Sequence, residues 1–144
     1  MKRVERVATI AVPPDELFAY LADLENLDEW MAGIVSAEVT SAGELGAGST
    51  ARVVRALGSQ RVEAPLTVAE YDEPRHLVIT SEVSGVGVAA SLDLAPAGSG
   101  TELRFAMEIR GSMLTRFMEP MIAGAAGGEI DATLERLRGR FAAD

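Results

Sequence analysis

Cysteine is absent from the sequence, and histidine occurs once, at His76. Without cysteine the chain has no disulfide, no thiolate nucleophile and no cysteine-ligated metal, and a single histidine excludes metal sites that need several imidazoles. The sequence therefore predicts neither a metal site nor a cofactor.

Positive charge and long apolar runs are also scarce. Lys and Arg number 13 against 22 Asp and Glu, which gives a formal net charge of -9. Such a chain repels phosphate backbones and anionic lipid surfaces, so we do not expect nucleic acid as a partner. Arginines near the C-terminus stand beside Glu129, Asp131 and Glu135, as on an ordinary solvated helix face. No apolar run approaches the roughly 20 residues of a membrane span, so we expect no stable membrane insertion and a cytoplasmic protein.

Aromatic residues make up only 5% of the chain, whereas hydrophobic residues make up 48% and charged residues 24%. This is a globular composition and argues against disorder. At 144 residues the chain has the size of one domain with a sizeable core. We therefore expect a single domain over residues 1–144, as a monomer or a homodimer.

The first thirty residues indicate a strand followed by two short helices. Val4–Val12 is rich in β-branched residues and ends at two prolines, which cannot continue a strand ladder. A helix then begins with proline and two acids in its first turn and carries apolar residues at helical spacing. Asn26 ends this helix, and we predict that it caps a second one together with Glu29.

From Gly33 onward the pattern changes to strands separated by turn residues. Apolar and polar residues alternate along these strands, most clearly in the last one, so one face of the sheet is predicted to be apolar and the other polar. The predicted strands are Ile34–Ser41, Thr50–Ala56, Arg61–Tyr71, His76–Val83, Val86–Leu94 and Thr101–Arg110, with the last turn at Ala95–Gly100.

After Gly111 the apolar residues recur at three- and four-residue spacing, which predicts a long helix whose apolar stripe lies on the sheet. Pro120 and the glycine-rich run at residues 124–128 interrupt the stripe, and we expect a kink or a thinned middle there. The predicted fold class is α+β: a curved seven-stranded antiparallel sheet wrapped around a long C-terminal helix, with two short helices after the first strand.

The inward residues of the middle strands are largely valine and alanine, with some leucine. Side chains of this size leave two outcomes open for the space between a curved sheet and a helix. Either a cavity remains, or the helix settles deeper on its glycines and the interior packs solid at native density.

Four segments carry a resemblance to a known family. The chain resembles the START-related superfamily with the helix-grip fold, and within it the bacterial SRPBCC or polyketide cyclase/dehydrase-like proteins. The resemblance implies a deep apolar cavity between sheet and C-terminal helix, used by relatives for lipids, polyketides, plant hormones or isoprenoid-like molecules, and it implies no single reaction. The segments are AVPPDELFAYLADLENLDEW at Ala11–Trp30, LGAGST at Leu45–Thr50, VAEYDEPRHL at Val68–Leu77 and LDLAPAGSGTEL at Leu92–Leu103.

Two of the candidate ligand contacts have an alternative interpretation. Trp30 either lines or gates the mouth of the cavity, or it is a core wedge that seals the helix onto the sheet. Arg55 either faces inward, where it needs a partner or an anionic ligand, or it is a surface residue near a strand end. The full predicted ligand-binding set is Trp30, Val53, Arg55, Leu66, Ile79, Val88, Leu92, Phe105, Met107, Met113, Phe117 and Met121.

No catalytic residue is predicted. By alternation His76 lies on the polar face, Glu63 faces outward when its neighbours face inward, and Tyr20 and Tyr71 offer phenols without a paired base. We therefore expect a carrier or sensor that binds an apolar small molecule. The alternatives are a polyketide cyclase/dehydrase-type enzyme that uses the same cavity, and a protein-binding module with a filled interior.

Overall fold

The computed structural model describes residues 2–57, 59–83, 86–110 and 119–141, and it describes residues 2, 57, 83, 86 and 119–126 by their backbone alone. Within these ranges seven strands form one sheet, and three α-helices and one 3-10 helix pack with it. The strands are β1 (Lys2–Ile10), β2 (Ile34–Val39), β3 (Thr50–Leu57), β4 (Gln60–Asp72), β5 (His76–Val83), β6 (Val86–Ala97) and β7 (Gly100–Arg110). The helices are α1 (Pro14–Ala22), the 3-10 helix (Leu24–Asn26), α2 (Leu27–Trp30) and α3 (Glu119–Arg140).

All neighbouring strands are antiparallel, in the order β1-β7-β6-β5-β4-β3-β2. Strands β2 to β7 form a meander, and β1 joins it beside β7, so β1 and β2 are the two edges. The predicted fold class, the seven antiparallel strands and the two short helices after β1 are confirmed.

The predicted cap at Asn26 is wrong. Helix α1 ends at Ala22, and Asp23 caps the 3-10 helix by accepting a hydrogen bond from the backbone N–H of Glu25. Asn26 is the last residue of that 3-10 helix, and its backbone is already helical where α2 begins. Its side chain therefore makes no capping bond and donates to the carbonyl of Tyr20 instead, at 3.4 Å.

The predicted turn at Ala95–Gly100 is shorter in the structure. Strand β6 continues to Ala97, which pairs with Gly100, so two residues connect β6 to β7. Gly98 has a φ of 61°, which glycine adopts without the steric cost of a side chain. Gly100 lies against β1, and a Cβ built on it would be 2.5 Å from the carbonyl oxygen of Ile10. Only glycine allows β7 to begin this close to the end of β1.

Helix α3 packs mainly against β1, with further contacts to β7 and α2. It runs through residues 124–128 without interruption. Gly127 is buried, and a Cβ added to it would be 3.3 Å from an arginine nitrogen of Arg6 and 3.7 Å from Val4. The glycine run thus brings the helix close to the sheet at this point.

The C-terminal end of α3 is attached to the short helices. Arg140 pairs with Glu29 at 3.2 Å and lies over the ring of Tyr20, with its guanidinium carbon 4.4 Å from the ring centroid. Phe141 meets the same ring edge to face. No helix in the described part of the chain is long and apolar enough to cross a membrane.

Candidate functional site

The inner face of the sheet is a continuous apolar wall. Strand register places Ile79 opposite Ala90, Leu92 opposite Phe105, and Ala90 opposite Met107. Side chains from β3 to β7 therefore adjoin one another across the concave face, and nearly all of them are buried. Of the predicted ligand contacts, the structure brings together Val53, Leu66, Ile79, Leu92, Phe105 and Met107 on this wall, with Val88 half-buried at its side.

Three predicted contacts cannot be placed. Met113 and Phe117 lie outside the described residues, and so does the side chain of Met121.

Trp30 ends α2 and is 1% exposed, so it lies in the core and not at an open mouth. Its ring meets that of Phe105 edge to face, with the centroids 6.5 Å apart. The wedge interpretation therefore fits its burial. A tryptophan that only fills the core would be expected to have its indole N–H paired. The buried Nε1 of Trp30 has no hydrogen-bond partner among the described residues. An unsatisfied buried N–H is uncommon in folded proteins because it loses its hydrogen bond to water.

The chain just after Trp30 is attached to α3 by a buried hydrogen bond. The backbone N–H of Ala32 donates to Oγ1 of Thr133 at 3.0 Å, and Thr133 is fully buried. Within α2, the N–H of Met31 donates to the carbonyl of Leu27. These bonds hold the α2–β2 connection, and with it Trp30, beneath the helix.

Arg55 faces inward and pairs with α3. Its Nη2 lies 2.6 Å from Oε1 of Glu129, and the two side chains are 17% and 20% exposed. Gly33 lies directly against the pair: it has a φ of 91°, and a Cβ on it would be 3.3 Å from both side chains. The ion pair therefore connects β3 to α3 at the edge of the apolar interior and supplies the partner that an inward Arg55 needs.

Polar groups elsewhere on the inner face are also engaged. Arg6 on β1 pairs with Asp131 of α3 at 3.3 Å, at a more exposed place. Thr101 is buried and donates to the carbonyl of Val12 at 2.7 Å. Each of these groups holds one element against another, which leaves the middle of the wall apolar.

The remaining candidate acid–base groups lie away from the interior. Nδ1 of His76 is 2.6 Å from Asp93 and its Nε2 is 3.3 Å from Glu70, on the outer face. Partial burial alone lowers the pKa of His76, but the hydrogen bonds and charges of the two carboxylates outweigh it, so its pKa is raised above the ordinary value. Glu63 pairs with the outward Arg52 at 3.1 Å.

The two phenols are likewise bound to surface carboxylates. Tyr20 donates to Glu29 at 3.3 Å, and Tyr71 donates to Glu73 at 3.1 Å. Desolvation is the largest effect and raises the pKa of both phenols. Glu73 raises the pKa of Tyr71 further. At Tyr20 the charge of Arg140 is the second-largest effect and lowers the pKa, and Glu29 follows and raises it, so that the pKa is raised on balance. Neither phenol is set up to donate a proton near neutral pH.

A pocket of about 290 Å³ opens beside β3 and β4. The outward side chains of Arg52, Glu63, Pro65 and Thr67 line it, so it faces away from α3. Leu66 is the one predicted ligand contact at its border. This pocket is therefore distinct from the apolar interior that the sequence indicates.

Sequence reasoning missed three residues of the interior edge: Gly33, Glu129 and Thr133. Glu129 was assigned to a solvated helix face, and that assignment is wrong, because its side chain is four-fifths covered and meets Arg55. Asp131 is largely exposed, as expected. The sequence signal for Glu129 is the alternation along β3, which turns Arg55 inward. A charged side chain in that position needs a carboxylate partner, and α3, which covers the sheet, carries one.

Three comparisons place the chain among known proteins. The profile of the family described as "Polyketide cyclase / dehydrase and lipid transport" matches residues 1–142. An uncharacterized protein of Mycobacterium tuberculosis strain H37Rv is 25% identical over 138 residues, which cover 94% of this chain and 96% of that protein.

Solved structures share the fold. A START superfamily protein from Mycobacterium smegmatis superimposes with a TM-score of 0.81 at 14% identity, covering 96% of each chain. The ZhuI aromatase/cyclase from Streptomyces sp. R1128 superimposes with a TM-score of 0.79 at 14% identity, covering 96% of this chain and 92% of that one. At this level of identity, the structural likeness establishes the fold alone.

Proposed function

The chain belongs to the polyketide cyclase/dehydrase and lipid transport family, and on that premise we propose that it is a carrier or sensor of a hydrophobic small molecule. A lipid, an isoprenoid or a polyketide bound between the sheet and α3 has the right chemistry for this site. The ligand is then covered by the apolar wall and released without chemical change.

The observation that carries this proposal is the apolar inner wall, which lacks a free acid or base among the described residues. Its charged members, Arg6 and Arg55, each pair with a carboxylate of α3. Acid–base catalysis needs a group that is free to exchange a proton with the substrate. A wall of this kind suits binding by the hydrophobic effect, which contributes roughly 25 cal/mol for each Å² of apolar surface removed from water.

We propose ligand contacts from both sides of the site. Arg55 and Trp30 are the polar members of this set, and the others supply apolar surface. The proposed contacts are Trp30, Val53, Arg55, Leu66, Ile79, Val88, Leu92, Phe105, Met107, Met113, Phe117 and Met121.

Adjacent alanines on β6 allow a matched test. Ala90 is buried on the inner wall opposite Ile79 and Met107, whereas Ala89 lies on the outer face opposite Thr80 and Glu108. Ala90→Met adds volume to the interior, and Ala89→Met adds the same volume outside. The measurement is the thermal stabilisation of each protein by a fatty acid, an isoprenoid alcohol and an aromatic polyketide.

A ligand present at about 100 times its Kd stabilises the folded protein by roughly 2.7 kcal/mol. We expect stabilisation of this order for the wild type and for Ala89→Met with at least one compound, and a much smaller effect for Ala90→Met. Equal responses of the two variants would place binding outside the interior. No response of the wild type to any compound would refute the proposal.

The second candidate is a polyketide cyclase/dehydrase-type enzyme, and one observation favours it. Arg55 and Glu129 converge at the edge of the interior, where a carboxylate could accept a proton from a carbon next to a carbonyl. We rank this function second because Oε1 of Glu129 is already bound by Arg55. Conversion of a linear poly-β-ketone mimic by the wild type, lost in Glu129→Gln, would establish it.

A further inference from the structure

We propose that the interior ligand carries a neutral acceptor oxygen, such as a ketone, quinone or ether oxygen, and that the indole N–H of Trp30 donates a hydrogen bond to it. This inference rests on the proposed binding function and narrows its ligand class. It predicts that the protein binds oxygenated apolar molecules more tightly than pure hydrocarbons of the same shape.

Trp30 is buried in the core, and within the described part of the chain its N–H donor is unpaired. The residue is 1% exposed, and its Nε1 has no partner among the described residues. Folded proteins pair the great majority of buried donors with protein groups or ordered water. A buried donor without a partner among the described residues is what a ligand acceptor would satisfy.

The other buried polar side chains among the described residues each have a hydrogen-bond partner. Thr133 accepts from Ala32, Thr101 donates to Val12, and Ser49 accepts from the backbone N–H of Gly46. Within the described part of the chain, these three polar core groups are thus satisfied by other protein groups.

Trp30 lies where a bound molecule on the apolar wall would reach it. Its ring meets Phe105, which is opposite Leu92 on the inner face of the sheet. The indole is also a neutral donor, so it favours a neutral oxygen and adds no attraction for a full negative charge.

Two pairs of compounds, each nearly equal in shape, isolate the hydrogen bond from the indole N–H. Fluorenone carries a carbonyl where fluorene carries a methylene group, and 1-tetralone and tetralin form a smaller pair of the same kind. The Kd of each compound is measured for the wild type and for Trp30→Phe, which keeps an aromatic ring but removes the donor. Tyr20→Phe serves as a control, because it removes an aromatic donor that is bound to Glu29 and leaves the indole N–H in place.

The quantity to compare is the ratio of the hydrocarbon Kd to the ketone Kd within each protein. This ratio cancels the effect of a mutation on general apolar binding. We expect it to fall by about tenfold in Trp30→Phe, as for the loss of one buried hydrogen bond, and to stay near the wild-type value in Tyr20→Phe.

A second readout uses the wild type alone, so it does not depend on the folding of a variant. Trp30 is the single tryptophan of the chain, and its indole N–H gives one unambiguous proton–nitrogen NMR signal. Fluorenone is expected to shift the indole proton downfield, and fluorene is not.

The outcomes separate the two claims. If the probes bind but the ratio of the hydrocarbon Kd to the ketone Kd is the same in wild type and Trp30→Phe, and the indole proton does not move downfield, the hydrogen bond is refuted while the binding function stands. If neither probe of either pair binds the wild type, both the hydrogen bond and the proposed function are refuted.

Discussion

Replacement of Glu129 by glutamine tests whether the sheet and α3 are held together by an ion pair at the edge of the interior. The substitution keeps the shape of the side chain but removes the charge that faces Arg55 at 2.6 Å. Arg55 then stays mostly covered without a counter-charge. We expect the free energy of unfolding, measured by urea denaturation at neutral pH, to fall by about 2 kcal/mol.

The magnitude follows from the exposure of the two side chains. Breaking a fully buried pair costs about 3–5 kcal/mol, and a fully exposed pair contributes about 0–1 kcal/mol. With 17% and 20% exposure, the pair of Arg55 and Glu129 lies between these limits. For a chain of this size, a loss of about 2 kcal/mol corresponds to a decrease in Tm of roughly 6 °C.

The control is Glu63→Gln, which breaks the pair between Glu63 and Arg52 on the outer face. These side chains are 64% and 55% exposed, so we expect a change within about 0.5 kcal/mol. A double variant, Arg55→Met with Glu129→Leu, should recover most of the stability, because it removes both charges together. If Glu129→Gln costs no more than Glu63→Gln, the ion pair does not hold α3 and the reasoning fails.

Two further predictions concern the backbone and the pH dependence of stability. Gly100→Ala should lower the free energy of unfolding, measured by urea denaturation, by about 1–3 kcal/mol, because its Cβ would lie 2.5 Å from the carbonyl oxygen of Ile10. The control is Gly46→Ala, because a Cβ there meets open space. Equal effects of the two substitutions would contradict the prediction. The pKa of His76 is raised in the folded state, since the effect of Asp93 and a second carboxylate exceeds that of partial burial. Its contribution to stability is therefore fully present below the unfolded pKa of about 6.5 and is lost as the pH rises through the folded value. His76→Gln should remove this dependence, and an imidazole NMR titration that gives an ordinary or lowered pKa would contradict it.

Much of the fold could be predicted from the sequence because the alternation of apolar and polar residues is strong. One face of strands β4 to β7 is largely buried, and a shift of one residue would expose that apolar set, so the pattern favours one face and one register. The strand ends were less accurate, as the two-residue connection at Gly98 shows. Turn residues mark a region of several positions, whereas hydrogen bonds decide where pairing stops.

The cap at Asn26 failed for a local reason. Asparagine is a good capping residue, but Asp23, three positions earlier, begins a 3-10 helix that continues into α2. Competition between two capping residues this close depends on the packing of Leu24 and Leu27 in the core, which the local pattern does not contain.

The interior edge depends on contacts between distant parts of the chain. The inward direction of Arg55 follows from strand parity, but its partner Glu129 is 74 residues away. The bond between Ala32 and Thr133 spans 101 residues. Such pairs result from the way α3 lies across the sheet, and that placement follows from the packing of the whole molecule.

Native mass spectrometry of the purified protein, after incubation with the fatty acid, the isoprenoid alcohol and the aromatic polyketide, measures directly whether the interior binds an apolar molecule. The denatured mass and the Ala90→Met variant are measured alongside. The account predicts a one-to-one complex with at least one compound in the wild type, absent from the denatured sample and strongly reduced in Ala90→Met. A wild type that stays at its bare mass with every compound would contradict it.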